Sequence, residues 1–383
     1  DLTGAGAFTK TGAGALILQG NNSAFSGATT VTGGVVALTA NDNFGTGGVT
    51  LDGDGVRAEN ALSLANNFTF GASGGTVDTT GNSVLLSGDL TGPGGLTIDG
   101  SGVLVLGGLN NTYSGGTIVN GGVLAIGAND SLGTGDVTLN GAEMRSDAAI
   151  TVANGFIFGA SGGSWDTNGN NTTLTGNLTG VGAFTKEGTG ILTLAGANTY
   201  LGATMVAGGT LRLASTDTLA SSEGVAVDSF ATLDFANTSQ TLNALGLAPD
   251  ATVNLGSGTL TIDDPAGTGS FLFGTINGSG GLVVNGPNTG VLVFGQQAYT
   301  GGTTVSDGAI LSLEIDNALS PAGALTINSG GLVAVNFDQT VSELSGIGGL
   351  LDLCNCFTFT VNQSTSTTFA GEILNGGALV KTG

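Results

Sequence analysis

Few kinds of side chain in this sequence could carry chemistry. The chain has no His, which removes Ser-His-Asp triads, Cys-His dyads and most zinc or iron sites together. What is left is 28 Asp and Glu, 6 Lys and Arg, and 2 Cys. A glycosidase needs two carboxylates flanking one bond, and a polysaccharide-acting enzyme would gather acids and bases on one face. Arg57, Arg145 and Arg212 instead fall in different parts of the chain, and Arg57 and Arg145 are 88 residues apart, so they read as structural positions of a repeat. Asp52-Gly53-Asp54-Gly55 and Asp263-Asp264 have the composition of calcium turns. Neither matches the Gly-Gly-x-Gly-x-Asp pattern or a twelve-residue loop. Asp-Gly turns with positive φ are the simpler account, with calcium kept as an alternative.

Cys354-Asn355-Cys356 is the most specific local feature after the repeat described below. Aligned with Leu255-Gly-Ser-Gly, both cysteines stand at glycine positions of a turn. In an exported protein a paired count suggests a disulfide. A bend at Asn355 would make it a tight intrachain clip, and pairing of each thiol with another molecule is the open alternative. A redox role is disfavoured, since no neighbouring basic residue lowers a thiol pKa. Asn21, Asn110 and Asn177 fit the N-x-S/T acceptor pattern, but in so Asn- and Thr-rich a chain stacked ladders explain them better.

The elements that must position these residues repeat. Copies of one block begin at Gly6-Ala7-Phe8, Gly94-Gly95-Leu96, Gly182-Ala183-Phe184, Gly280-Gly281-Leu282 and Gly377-Ala378-Leu379. Their third residues are separated by 88, 88, 98 and 97 residues. Phe25, Tyr113, Tyr200 and Tyr299 keep nearly the same step, and core or turn packing is expected of them rather than a sugar-stacking stripe. Phe68 to Asn82 returns almost unchanged as Phe156 to Asn170, whereas the later copies carry Gln240-Thr241-Leu242 and Gln339-Thr340-Val341. Such self-similarity marks a solenoid or an array. The repeats run approximately over 4–91, 92–179, 180–277 and 278–375, with a partial fifth at 376–383, inside one domain of 1–383.

Composition sets the class. With 73 Gly, 5 Pro and 40% hydrophobic residues, the chain is too apolar to be disordered and too interrupted by glycine to be helical. Runs such as Gly102-Val-Leu-Val-Leu106 and Gly190-Ile-Leu-Thr-Leu194 read as short strands between turns. The expected fold is all-β, a parallel β-helix of about 16 coils at roughly 20 to 24 residues each. Lys10, Lys186 and Lys381 share one repeat position with Ile98 and Val284, which is expected to face outward with the lysine stem along the sheet. A net charge of −22 opposes binding to nucleic acid or an anionic bilayer, and no run is long enough to span a membrane as a helix.

The stretch from Lys186 to Leu213 resembles the passenger-associated transport repeat of bacterial autotransporters, and Lys10 to Leu38, Gly100 to Ile126 and Gly286 to Leu313 are weaker copies. With the Gln-Thr-Leu/Val segments between them, the likeness covers nearly the whole chain. It implies a right-handed parallel β-helix, secreted or displayed at the surface of a Gram-negative-type bacterium. No signal peptide, autochaperone end or translocating β-barrel is read here, so a fragment, a cleaved product or a relative that uses the repeat differently is expected. The functional expectation is a non-enzymatic extracellular structural protein for display and adhesion, with no catalytic, cofactor-binding or metal-binding residues. Because Asp1 and Gly383 both fall within repeat copies, end-to-end self-association into a fibre is expected as well. A polysaccharide-acting β-helical enzyme and a calcium-stiffened surface-layer component are the alternatives, and host surface or glycan partners are left open.

Overall fold

The computed structural model describes residues 1–354 and 356–383 as two compact units, Asp1–Phe184 and Thr185–Gly383. All regular elements among the described residues are short strands, and each named strand pairs with its sheet neighbours in parallel. Together the units make about 19 turns of parallel β-solenoid. The expected 16 is too few because each coil is shorter than assumed. Phe8 pairs with Thr29, Thr29 with Val49, Val49 with Phe68 and Phe68 with Leu90, advances of 21, 20, 19 and 22 residues.

In the first unit a five-stranded sheet starts at Phe8–Lys10, and a nine-stranded sheet runs from Leu16–Leu18 to Leu178–Gly180. A third sheet runs from Leu62–Leu64 through Val103–Leu106 to Gly163–Asp166. The chain visits one sheet after another, and alternation within each strand sets one rank inward and the next outward. Thus Phe68 and Phe70 are buried while Thr69 between them is exposed. Inward ranks stack in register, as with Val119, Leu139 and Phe158.

Coil length has a consequence for the repeat. From Phe8, four coils lead to Leu90, and the next strand, Leu96–Asp99, belongs to the nine-stranded sheet. From Leu96, four coils lead through Thr117, Val137 and Phe156 to Leu178. Phe184 then falls beside the third sheet, where the Ala183 carbonyl accepts from Gly163 N at 3.0 Å. Eighty-eight residues are therefore four coils plus one further sheet, and successive copies occupy successive faces. In the second unit Leu282 and Leu379 likewise stand in different sheets, of six and three strands.

The Phe68–Asn82 block and its copy fill the first unit with aromatic side chains. Phe156 meets Trp165 edge-on at 5.1 Å, and Phe70 meets Tyr113 at 5.5 Å. The block's glycines make room for them. A Cβ at Gly75 would lie 2.5 Å from Leu51 Cβ and 3.0 Å from the Phe70 ring. Gly92 and Gly180 turn the corner at φ 109° and 108°, where a Cβ would fall 2.2 Å from the carbonyl oxygen of Phe70 or Phe158.

The second unit has a long sheet running from Thr204–Val206 through Ser270–Leu272 and Ile310–Leu313 to Glu372–Leu374. Other sheets include Thr210–Leu213 to Thr275–Asn277 and Gln240–Leu242 to Glu343–Ser345. Its interior is mainly aliphatic, with Leu211, Leu233, Val253 and Ile276 in register.

Candidate functional site

Some of the polar groups singled out in the sequence are buried in the fold, and others are held at its surface. The expectation that the repeat lysines face outward is wrong for Lys10 and Lys186. Their position is an inward one, as the burial of Ile98 and Val284 there confirms. Lys186 is fully buried, and its Nζ donates to the carbonyl oxygens of Glu187, Gly188 and Gly208 at 2.6, 2.8 and 3.0 Å. Lys10 Nζ does the same to Thr11, Gly12 and Gly33. Each ammonium is thus hydrogen-bonded by the carbonyls of a glycine corner where its stem runs inside the coil. Lys381 is exposed but makes similar bonds, to Gln363 and Gly383.

The four marker aromatics are also inside, at 4% exposure or less. The hydroxyls of Tyr113, Tyr200 and Tyr299 bond the Oγ1 atoms of Thr117, Thr204 and Thr303, each four residues on, at 2.5 to 2.6 Å. Burial pushes all three phenols well above their ordinary range, the threonine bonds offsetting a part of it.

Each arginine has an acidic partner. Arg57 pairs with Glu59 at 2.5 Å, Arg145 with Asp147 at 2.8 Å and Arg212 with Asp234, its neighbour on the next coil, at 2.8 Å. The Asp147 bond holds the Arg145 guanidinium above its ordinary pKa. Asp52 accepts from Ser73 N at 2.9 Å. Buried Asp264 accepts from Gly267 N, Thr268 Oγ1 and Gly269 N, which folds the following loop around its carboxylate. Among the described residues no three Asp, Glu or Cys side chains converge as metal ligands would.

Cys354 and Cys356 are exposed thiols, not joined to each other in this structure, and Cys356 N donates to the Cys354 carbonyl at 2.7 Å. The bend expected at Asn355 lies outside the described residues.

One asparagine ladder lies on the outside of the first unit, and it does not include the acceptor-pattern residues: Asn21 Oδ1 accepts from Ser23 N and Asn110 N donates to Asp89. Asn120 Nδ2 donates to Asp99 and Asn140 Nδ2 to Asn120, both at 2.9 Å. Inside, Asn66 and Asn154 span the corners by donating to Gly47 and Gly135 at 2.7 Å. In the second unit glutamines do this. Gln240 accepts from Thr218 N and donates to the Ser215 carbonyl, and Gln297 accepts from Ile276 N and donates to the Gly274 carbonyl. The Gln-Thr-Leu/Val signature is thus an internal corner brace.

What the sequence reading missed lies outside. Outward positions stand in register and form continuous ranks. In the first unit Thr9, Thr30, Thr50, Thr69 and Thr91 follow one another on one sheet, and Thr97, Ile118, Thr138, Ile157 and Thr179 on the next. In the second unit the long sheet points Met205, Phe271, Leu292 and Ile310 outward. Phe273 and Phe294 stack face to face at 4.6 Å, and Phe337 and Phe357 at 5.4 Å. Parity was the available signal, since Ser270-Phe271-Leu272 puts its aromatic at the middle of the strand.

These features define a class, an all-β solenoid whose polar chemistry serves its corners and whose faces are long registered ranks. The family described as Passenger-associated-transport-repeat matches residues 8–38, 91–126, 184–213 and 275–312. A curated relative, the Adhesin BmaC autotransporter of Brucella suis biovar 1 (strain 1330), is 34% identical over 132 residues, which is 31% of this chain and 4% of that protein. No solved structure matches the chain. The chain thus carries the passenger-associated-transport-repeats of autotransporter passenger domains, a class of segment secreted from or displayed on Gram-negative bacteria.

Proposed function

We propose that this passenger segment is a non-enzymatic adhesive surface. The observation that carries the reading is the division of labour among side chains. Two lysines, the tyrosines and the buried Asp264 are engaged within the coils and their corners, while registered outward ranks offer wide faces for contact. The name of the partly similar adhesin supports the same reading. Beads coated with the purified chain should attach to epithelial monolayers or matrix-coated plates several-fold more than beads coated with an unrelated acidic protein. Equal attachment would refute it, as would release of products from a glycan panel for its non-enzymatic part.

Head-to-tail self-association is the finer part of the proposal. Each coil pairs with the next through main-chain bonds that any strand of matching length can make, so strand addition is a natural mode. Light scattering over a wide concentration range should show growing assemblies. A strictly monomeric chain throughout would end this part alone.

A further inference from the structure

We propose that the outward face of the long sheet in the second unit is a docking site for a cationic amphipathic polypeptide segment. The inference rests on the adhesive reading and names the partner class for one face of it. Met205, Phe271, Phe273 and Ile310 are 38%, 45%, 46% and 46% exposed. Phe271 and Leu292 are register partners, and Phe273 and Phe294 stack with only 9° between their planes, so these four side chains form the centre of the patch; Ile310 stands beside Gly290, and Met205 lies three strands away across Ala226 and Gly246. A monomeric protein rarely leaves such side chains together in water without a partner for them.

Charge identifies the partner. Further along the same sheet the outward ranks become acidic. Glu314 directly follows the strand paired with Gly290–Val293, Asp352 pairs with Ala334, and Glu372 pairs with Leu350. At about 4.8 Å per strand, Asp352 lies within about 20 Å of Phe271. Glu314 is fixed in place, accepting from Ser312 Oγ at 2.5 Å and Asn336 Nδ2 at 2.8 Å, and Asp352 accepts from Asn375 Nδ2. The unit's cations are engaged away from this face, Lys186 and Lys381 with carbonyls and Arg212 with Asp234. An apolar patch continued by carboxylates suits a segment with one apolar stripe and Lys or Arg beside it, laid along the sheet. A second copy of this chain, at −22, would set carboxylates against carboxylates, and an anionic bilayer would be repelled.

The test uses the full chain and two synthetic peptides with the same apolar pattern, one rich in Lys and Arg and one in Glu, followed by fluorescence anisotropy. The basic peptide should bind and the acidic one should not. The double variant Phe273→Ser/Phe294→Ser should weaken binding about tenfold or more. Glu314→Gln/Asp352→Asn should weaken it several-fold and flatten its salt dependence. Ile118→Ser/Ile157→Ser, on the first unit, should change nothing.

Equal binding of the acidic peptide would overturn the proposal. So would unchanged binding by a phenylalanine variant of normal thermal stability, or a dimer that those variants abolish. If the phenylalanine variant does not fold, the charge variant alone decides. Beads that attach equally well with Phe273→Ser/Phe294→Ser would end this inference and leave the adhesive reading standing, whereas beads that never attach would end that reading itself.

Discussion

The two units build the same coil but place most of their phenylalanines differently, while burying their marker tyrosines alike. In the first, Phe25, Phe44, Phe68, Phe70, Phe156, Phe158 and Trp165 are all buried. In the second, Phe230, Phe271, Phe273 and Phe337 are exposed, while Phe235 and Phe359 join Tyr200 and Tyr299 in the core. The contrast follows from strand parity. Phe68-Thr69-Phe70 sets its rings at both inward positions, whereas Ser270-Phe271-Leu272 sets its ring at the outward one. A shift of one residue in a period-two element exchanges core for surface. The corner braces differ in parallel, asparagine in the first unit and largely glutamine in the second. One coil geometry thus accepts different interior fillings, and a ring that is not needed inside becomes available for contact.

Substitutions can break this comparison, and the largest effect is expected in the aromatic core. Trp165→Ala removes a buried ring, its edge-on contact with Phe156 and its bond to Ser146 Oγ at 2.8 Å. It should cost about 4 kcal/mol in a denaturant titration. Lys186→Ala should cost about 1–2 kcal/mol by removing three charge-assisted bonds to corner carbonyls. Lys10→Ala should cost less, since Lys10 is at 9% exposure nearer to water. Equal, negligible effects would mean that the inward lysines are passengers and not braces.

Alkali gives a graded version of the same test. The phenols of Tyr113, Tyr200 and Tyr299 are raised above their ordinary value of 10.0, so the fold favours the neutral form. Their contribution is complete below that pH and is lost as pH rises above it. Tyrosinate absorbance should therefore appear together with loss of the β-sheet circular dichroism. Ionisation of a tyrosine in a chain with unchanged circular dichroism would contradict its burial.

Smaller effects separate the braces and the surface. Asn66→Ala and Gln240→Ala should each cost about 1–2 kcal/mol despite their different lengths, because each removes a buried side chain that holds main-chain groups of a corner. Phe271→Ala should change stability by no more than about 0.5 kcal/mol. A loss as large as that of Trp165→Ala would mean that the outward phenylalanines stabilise the fold and are not held for a partner.

Much of the architecture was legible before any coordinates. Glycine-flanked apolar runs such as Val103–Leu106 and Ile191–Leu194 are strands, and the near-constant step of the repeat marked the solenoid. Burial of Tyr113, Tyr200 and Tyr299 was anticipated too. The lysines were misread because a residue alternating with Ile98 and Val284 fits an outward position with an apolar stem as well as an inward one. Only the carbonyls around Lys186 Nζ decide between them. The outward phenylalanines are not marked by the repeat, because Phe271 and Phe273 belong to no recurring position and only strand parity sets them outside.

The sequence by itself determined the strand, the turn and the repeat, because alternation and positive-φ glycines act over a few residues. Tertiary structure alone decided where each copy faces. Coil length is the sum of several turn lengths, and advances of 19 to 22 residues carry an 88-residue repeat past four coils and onto the next sheet. A small difference in each turn, accumulated over four coils, rotates identical sequence onto a different face, and no local pattern records that sum.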